Sequence, residues 1–296
     1  MKYVSSRNKN EIVESHNAII QGLAKDGGLF TPENINIHIN VNELTNLSYQ
    51  QIATKVIHAF LDDFTEEEIS SSVNQAYDNK FDTEEIVPLH KIEDAYLMEL
   101  YHGPTSAFKD IALTLLPHLL IQSYNKENRH DTISILTATS GDTGKAALSG
   151  FADVKHTAIT VFYPEVGVSQ VQKKQMQTAI GDNVEVIAVK GNFDDCQRMV
   201  KEATQDPQVL ASLHNVTISS ANSINVGRLI PQVVYYYSSY CKLVKDGAIQ
   251  CGDPVNFVVP TGNFGDILAG YLAYRTGLPV NQLICASNSN NVNLCF

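Results

Sequence analysis

From about residue 87 onward, short runs of β-branched and apolar residues alternate with segments of helical periodicity, and this alternation limits the possible folds most strongly. "AYLMEL" precedes a helix expected near Lys109, and "TISILTAT" precedes one expected near Lys145. Likewise, "NVTISSAN" precedes "VGRLIPQVVYYYSSYCKLV", and "VNFVVPTG" precedes "DILAGYLAY". Strands and helices in regular alternation are typical of a parallel sheet covered by helices. The sequence therefore predicts an α/β fold.

Two helix-capping patterns predict the helices of the N-terminal part. Ser48 precedes a glutamine by three positions, and Thr65 precedes a glutamate by the same spacing. In such a capping box, each of the two side chains accepts a hydrogen bond from the backbone N–H of the other residue. We therefore expect helices over 49–61 and 66–77.

The chain is expected to comprise two domains. Residues 1–85 contain both capped helices and the turn-rich stretch "GLAKDGGLFTPE", and they would form a small helical N-terminal domain. Residues 86–296 would form the α/β domain. A chain of 296 residues, 44% of them hydrophobic, is long enough to bury a full core in this arrangement.

Net charge and composition exclude several classes of partner. The chain has 21 basic and 32 acidic residues, a net charge of −11, and would be repelled by nucleic acids and anionic membranes. It has no run of about 18 apolar residues and no apolar signal core near its start, so we expect a soluble, cytoplasmic protein. The five cysteines and nine histidines lack metal-ligand spacing, so no metal is expected.

Three loops follow predicted strands and open predicted helices. They are "YHGPTSAFKD" at 101–110, "TSGDTGK" at 139–145 and "PTGNFGD" at 260–266. In open α/β sheets, ligands bind beyond the carboxyl ends of the strands. We therefore expect the functional residues in these three loops.

Two of the loops are rich in glycine and predict anion sites. Gly262 and Gly265 let the backbone approach a ligand closely, and the helix expected at Asp266 offers unpaired N–H groups. Asp266 would cap that helix rather than contact the anion. In the other loop, Ser140, Thr143 and the glycine amides could hold a carboxylate in the same way. Either loop could instead be a plain tight turn.

The loop at 139–145 resembles a nucleotide-binding loop only in part. The Walker pattern needs a glycine where Thr139 stands and a hydroxyl residue where Ala146 stands. The second departure removes the hydroxyl group that would bind magnesium. Nucleotide hydrolysis is therefore disfavoured.

Lys109 is the candidate reactive group of the remaining loop. It lies at a predicted helix start, where a positive charge is unfavourable, among mostly small, apolar or neutral residues. A nucleophilic role requires its pKa to fall from about 10.4 to roughly 7 to 8, and the helix end supplies only part of that shift. Burial would supply the rest, or the amine would be held as a Schiff base with an aldehyde cofactor. A solvated surface lysine is the alternative.

Four motifs in a fixed order resemble those of one enzyme family. "HGPTSAFKD", "TATSGDTG", "SANSINVGR" and "VPTGNFGD" look like motifs of threonine synthases of the longer bacterial and fungal type, which are fold-type-II pyridoxal-phosphate enzymes. "YVSSRN" and "GLAKDGGLFTPE" resemble the opening motifs of that family, although it more often has S-T-R-G at residues 5–8. The resemblance covers nearly the whole chain and implies pyridoxal 5′-phosphate as cofactor.

The resemblance implies a role for each matching position. Lys109 would be the catalytic residue and would form the Schiff base with the cofactor. The other cofactor-binding residues would be Asp142, Gly262, Asn263, Phe264, Gly265 and Asp266. The substrate-binding residues would be Ser140, Thr143, Asn222, Ser223, Asn225 and Arg228. The last four could equally cap and pin the helix that begins there.

The implied reaction converts O-phospho-L-homoserine and water into L-threonine and phosphate. Lys109 would move protons between Cα, Cβ and the cofactor. A doubly anionic substrate needs local cations on a protein of net charge −11, and Lys145 and Arg228 are candidates. Lys145 could instead be a solvated helix residue. The small-molecule substrate is the expected partner of a monomer or homodimer.

Complete members of that family extend beyond residue 296, where their remaining portion completes the sheet. Here "ASNSNN" resembles the family, but the final "VNLCF" does not continue as expected. We therefore expect a truncated or frame-shifted product with uncovered apolar faces. The alternative function is a non-catalytic remnant that binds the cofactor or a partner without turnover. A related β-replacement or dehydratase activity and an anion-binding protein without this cofactor are lesser alternatives.

Overall fold

Parallel strands form the centre of the larger part of the fold, as the alternating sequence pattern predicts. The computed structural model describes residues 1–139, 141–260 and 262–289. Its strands, numbered along the chain, are β1 (Lys2–Ser5), β2 (Ile12–Glu14), β3 (Phe30–Pro32), β4 (Leu89–Ile92), β5 (Ala95–Met98), β6 (Thr132–Ala138), β7 (Thr157–Pro164), β8 (Val184–Val189), β9 (Val216–Ser219), β10 (Val255–Pro260) and β11 (Val280–Ala286). Its helices are α1 (Ser15–Gln21), α2 (Tyr49–Phe60), α3 (Glu66–Ala76), α4 (Asp110–Leu113), α5 (Leu116–Lys126), α6 (Asp142–Phe151), α7 (Gln170–Gln177), α8 (Phe193–Gln205), α9 (Pro207–Ser212), α10 (Val226–Lys245) and α11 (Gly265–Arg275).

The larger parallel sheet has the strand order β8-β7-β6-β9. On one face, Ile135 and Val161 are buried in the main core, and α6 packs against β7. On the other face, Phe162 joins a smaller apolar cluster with Cys196 and Val200 of α8. Both faces of this sheet are thus covered, which is the usual condition for parallel strands.

The second parallel pair, β10 and β11, packs one face against helices α10 and α11. Tyr236 of α10 meets Phe257 of β10 edge-on, with ring centroids 4.8 Å apart. Val258 and Ile284 are exposed. The part of the fold that the structure describes therefore leaves apolar side chains of this pair in contact with solvent.

Both capping boxes of the N-terminal part are confirmed. Ser48 caps α2 and Thr65 caps α3, and in each case the reciprocal hydrogen bond is present. A three-stranded antiparallel sheet, β2-β1-β3, lies beside these helices and was not expected from the sequence. Its strands are only three or four residues long, so they carry little periodicity.

The stretch "AYLMEL" forms a different kind of strand from the one expected. It was expected to precede the helix at Lys109 as part of the parallel sheet, but β5 pairs with β4 in an antiparallel hairpin. Both strands are largely exposed, and neither belongs to a parallel sheet. The reason is the short connection of two residues, which only antiparallel neighbours allow.

The N-terminal elements share a continuous core with the α/β part. The main apolar cluster includes Phe60 of α2 and Val234 of α10, and α10 packs against α2. Tyr3 donates its hydroxyl to the carbonyl of Phe60 at 3.0 Å within this core. The division at residue 85 stays a prediction. Among the described helices, none combines the length and apolarity needed to cross a bilayer.

We predict that Ser48→Ala and Thr65→Ala each lower the free energy of unfolding by about 1 kcal/mol, because each removes a helix cap. Urea denaturation would measure the change. Ser71→Ala is the control, since Ser71 is exposed inside α3 and alanine favours helix. Equal losses in all three variants would contradict the capping account.

Candidate active site

The loop that carries Lys109 is built around one buried carboxylate, that of Asp110. Thr105 donates its backbone N–H to Asp110 Oδ2 at 2.8 Å and its hydroxyl to Oδ1 at 2.7 Å. Asp110 is only 1% exposed. Burial raises the pKa of the Asp110 carboxyl, while the hydrogen bonds from Thr105 act in the opposite direction.

Backbone geometry fixes the path of the same loop. Ser106 has a φ of 56°, in the left-handed region, and its N–H donates to the carbonyl of Gly103 at 3.0 Å. A Cβ at Gly103 would lie 2.4 Å from the Cβ of Asp110, so no larger residue fits without movement. The loop is therefore closely packed on the carboxylate that it surrounds.

Lys109 immediately precedes α4, as predicted, and it is not a solvated surface lysine. Its Nζ lies 2.7 Å from Oδ1 of Asp142, and the Lys109 side chain is only 19% exposed. The ring of Phe108 lies 5.4 Å from the same nitrogen. The amine is thus sheltered, and its partner comes from the glycine-rich loop at the start of α6.

The glycine amides of that loop are not free to hold an anion, in contrast to the expectation. Oγ1 of Thr139 accepts hydrogen bonds from the N–H of Gly141 at 3.1 Å and of Gly144 at 3.0 Å. The N–H groups of Asp142 and Thr143 remain, because the first residues of a helix have no intrahelical acceptor. The predicted residue Ser140 lies outside the described residues. Half-buried Lys145 follows in α6.

The second glycine-rich loop ends in a helix start without a side-chain cap. Phe264 has a φ of 60° and directly precedes α11. A Cβ at Gly262 would meet no atom of the described structure within 4 Å, so the backbone there borders open space. Gly265 is the first residue of α11. An uncapped helix start beside open backbone can seat an anion.

The expectation that Asp266 caps α11 is wrong. The helix begins one residue earlier, at Gly265, so Asp266 lies within the first turn. Its carboxylate accepts a hydrogen bond from the N–H of Ile267 at 2.9 Å, and its carbonyl accepts one from the hydroxyl of Tyr236 at 2.8 Å. Phe264 in a left-handed conformation takes the capping position instead.

Asn225 caps and pins α10 rather than pointing to a ligand. Its Oδ1 accepts from the N–H of Gly227 at 2.8 Å, and its Nδ2 donates to the carbonyl of Ile19 at 2.9 Å. It is fully buried. The structural alternative considered for the motif "NSINVGR" is therefore confirmed for this residue.

The other polar residues of that motif lie nearer the second glycine loop. Ser223 accepts a hydrogen bond from Nδ2 of Asn263 at 3.3 Å, which joins the two loops. The backbone N–H of Asn222 donates to the hydroxyl of Ser220 at 3.3 Å, leaving its side chain outside that bond. The residues predicted to bind the substrate and those predicted to bind the cofactor thus meet at Ser223 and Asn263.

Arg228 is a buried cation whose hydrogen bonds are incomplete. It is 2% exposed, and its Nη1 donates to the carbonyl of Ala221 at 2.7 Å. Its buried Nε has no hydrogen-bond partner among the described atoms. Burial lowers the pKa of Arg228 to about 10, and the nearby charge of Asp142 acts in the opposite direction. Lys109 and Arg228 thus share the field of one carboxylate.

Sequence reasoning missed two residues that shape the site, Asp110 and Thr139. Each had a usable signal, because short hydroxyl and carboxylate side chains next to glycine or at a helix start often bond to nearby backbone amides. Among the described residues, no hydrogen bond or ion pair joins Lys109 directly to residues 262–265. α10 links the two regions, since it packs against both α4 and α11.

Comparison with known proteins agrees with this arrangement. The model described as "Pyridoxal-phosphate dependent enzyme" matches residues 82–295, and the model described as "Threonine synthase N terminus" matches residues 2–77. The chain belongs to the pyridoxal-phosphate dependent enzyme family. Its resemblance to threonine synthases and its fold-type-II architecture are thereby confirmed.

Relatives in this family match almost the whole chain. It is 40% identical to the threonine synthase of Pseudomonas aeruginosa over 99% of this chain and 61% of that protein. It is 39% identical to human threonine synthase-like 1 over 93% of this chain and 38% of that protein. A crystal structure of pyridoxal-phosphate-bound threonine synthase from Brucella melitensis superposes with a TM-score of 0.87 at 36% identity, covering 98% of this chain and 61% of that one. The chain spans less than two thirds of the length of these relatives.

We predict that Thr105→Val lowers the free energy of unfolding by about 1 to 2 kcal/mol, because it removes a donor to a buried carboxylate. It should also raise the pKa of Asp110 further, so the loss of stability grows as pH rises through that pKa. Chemical denaturation at several pH values would measure this. Thr160→Val, in strand β7, is the control and should show neither effect. A loss that does not depend on pH would contradict the role given to Asp110.

Proposed function

We propose that this protein acts as a threonine synthase, which converts O-phospho-L-homoserine and water into L-threonine and phosphate with pyridoxal 5′-phosphate as cofactor. The observation that carries the proposal is the sheltered amine of Lys109, 2.7 Å from Asp142 of the neighbouring glycine-rich loop. Family membership supplies the reaction class. The N-terminal match narrows it to the threonine synthase branch.

The residues present fit the cofactor. The open backbone at Gly262 and the uncapped start of α11 would seat its phosphate, with Asn263, Phe264 and Gly265 around it. The buried, unpartnered Nε of Arg228 is a further donor in the region, at the start of α10. When bound, pyridoxal phosphate supplies an aldehyde that reacts with amines and a ring that accepts electrons.

Nζ of Lys109 would bind the cofactor, and once the amine of the substrate has taken its place there, the freed Nζ would serve as the base of the reaction. It would accept a proton from Cα of the substrate and exchange protons at Cβ, where water adds. The ion pair with Asp142 holds Nζ in place, but this pair must open and the ammonium group must give a proton to solvent before Nζ has a lone pair to offer. Asp142, 47% exposed, can turn toward solvent.

The substrate would be held by groups at the starts of α6 and α10. The N–H groups of Asp142 and Thr143, with Ser140, would bind the amino-acid carboxylate. Asn222, Ser223 and Arg228 remain proposed ligands of the substrate phosphate. Asn225 is left out, because both ends of its amide are used within the protein.

The alternative of a non-catalytic remnant is not favoured. The chain matches a threonine synthase over 99% of its length and retains the sheltered amine and its carboxylate partner. A cytoplasmic location and a monomeric or homodimeric state belong to the proposal.

We predict that the protein incubated with pyridoxal 5′-phosphate gains a visible absorbance band, lost on borohydride reduction and absent in Lys109→Ala. Lys109→Ala should lower the release of phosphate from O-phospho-L-homoserine by roughly a thousandfold or more. Lys155→Ala is the control, since Lys155 is exposed and precedes β7. Absorbance without phosphate release or threonine formation would support the remnant and contradict the proposed activity.

We predict that Gly262→Ala changes the free energy of unfolding by less than about 0.5 kcal/mol, since its Cβ meets open space. The same Cβ would occupy the proposed phosphate seat, so the affinity for pyridoxal 5′-phosphate should fall roughly tenfold. Denaturation and fluorescence titration would measure the two effects. Gly144→Ala is the contrasting variant and should be destabilised, because its Cβ would lie 2.4 Å from Cγ2 of Thr139. Unchanged affinity in Gly262→Ala would place the phosphate elsewhere.

A further inference from the structure

His102 lies between two carboxylates at the N-terminal end of the loop that carries Lys109, residues 101–110. We call this end the entrance of the loop. Its Nδ1 is 2.5 Å from Oδ1 of Asp82, and its Nε2 is 2.9 Å from Oε2 of Glu99. Its ring stacks on that of Tyr101, with centroids 4.8 Å apart. The backbone N–H of Asp82 donates to the carbonyl of His102 at 3.0 Å, so the same two residues meet twice.

The geometry favours a protonated ring. Both ring nitrogens face carboxylate oxygens, and only the imidazolium form has a proton on each. The hydrogen bond to Glu99 is the largest cause that raises the pKa of His102; partial burial opposes it, and Asp82 adds to the rise. The pKa of Glu99 is correspondingly lowered, first by His102 and also by Tyr101 and the charge of His90. Asp82, Glu99, Tyr101 and His90 are the titratable groups around the ring.

The two carboxylates come from different parts of the fold. Asp82 belongs to the segment that leaves α3, and Glu99 directly follows the hairpin strand β5. His102 is followed by Gly103, the first residue of the loop packed around Asp110. The loop is therefore fixed at its far end by Asp110 and at its entrance by His102.

We propose that the protonated imidazole of His102 is a positioning residue that fixes the entrance of this loop and thereby the place of Lys109 opposite Asp142. The inference rests on the proposed function only in treating Lys109 as the reacting amine. His102 acts through the loop, since its hydrogen bonds go to Asp82 and Glu99 and not to Lys109.

The proposal predicts a pH dependence with a definite sign. We call the pair of hydrogen bonds from the His102 imidazolium to Asp82 and Glu99 the clamp. Because the pKa of His102 is raised in the folded protein, the clamp is fully present below the ordinary pKa of about 6.5. It is lost as pH rises through the raised pKa. A neutral ring has a single N–H and can keep one carboxylate only. Glu99 is 18% exposed and Asp82 is 74% exposed, so the bond to Asp82 should be the one released.

The test uses hydrogen exchange of the amides of residues 103 and 105–108, with NMR titration of the His102 ring, in the protein without added cofactor. The ring should titrate above about 6.5, and amide protection in the loop should fall as pH rises through that value. His102→Asn should reduce this protection roughly tenfold at neutral pH and remove its pH dependence. The exposed histidine of the α9–β9 connection gives the control His214→Asn, which should leave the loop unchanged.

A ring that titrates at or below the ordinary value, or equal loop protection in His102→Asn and the unaltered protein, would overturn the proposal. Should His102→Asn fail to fold, Asp82→Asn and Glu99→Gln carry the same test. Each removes one negative partner and should lower both the pKa of His102 and the protection of the loop. Since exchange is measured without substrate, a catalytically inactive protein with an intact clamp would contradict the proposed function alone.

A second readout is the rate at which borohydride traps pyridoxal 5′-phosphate on the protein. This rate should fall several-fold in His102→Asn. In a protein that already carries Lys109→Ala, adding His102→Asn should not change the rate. If His102 only stabilised the fold elsewhere, His102→Asn would lower the stability of the protein without changing this trapping rate. Trapping at an unchanged rate, together with reduced loop protection, would show that the entrance does not position Lys109.

Discussion

The ion pair between Lys109 and Asp142 is the constraint on which the candidate site depends, because it joins two loops 33 residues apart in the chain. It forms only if α4 and α6 approach closely. A Cβ at Gly150 of α6 would lie 2.1 Å from the carbonyl oxygen of Leu113, at the end of α4, so glycine permits this approach. Close packing at the far end of α6 therefore brings this helix near α4, and Asp142 and Lys109 lie at the starts of these two helices.

The start of α10 supports the site from the other side and ties it to the N-terminal part. Asn225 bonds to the carbonyl of Ile19, and Ser219, just before this motif, bonds to the carbonyl of Ile20. The motif "NSINVGR" thus serves packing as well as any ligand. Residues with family-like spacing can be needed for structure alone, which is why the sequence left two roles open for them.

Local signals were predictable, and tertiary arrangements were not. The capping boxes at Ser48 and Thr65 and the helix start after Lys109 depend on neighbouring residues, which the sequence displays directly. The bonding of two glycine amides to Thr139 and the helix start before Asp266 depend on backbone dihedrals that residue types restrict only weakly. The burial of Arg228 depends on contacts between distant elements, so no short pattern could show it.

Local charge balance, rather than the net charge of −11, determines how an anion can enter this site. Lys109 and Arg228 are two cations, and the carboxylates of Asp142 and Asp110 offset them. Asp110 is buried and held by neutral donors, so it cannot leave, whereas Asp142 is 47% exposed. If Asp142 turned outward, water would solvate its charge and the interior would keep an excess of positive charge. We expect this positive charge to attract an anionic ligand, which could approach Lys109 and Arg228 without displacing the buried carboxylate of Asp110.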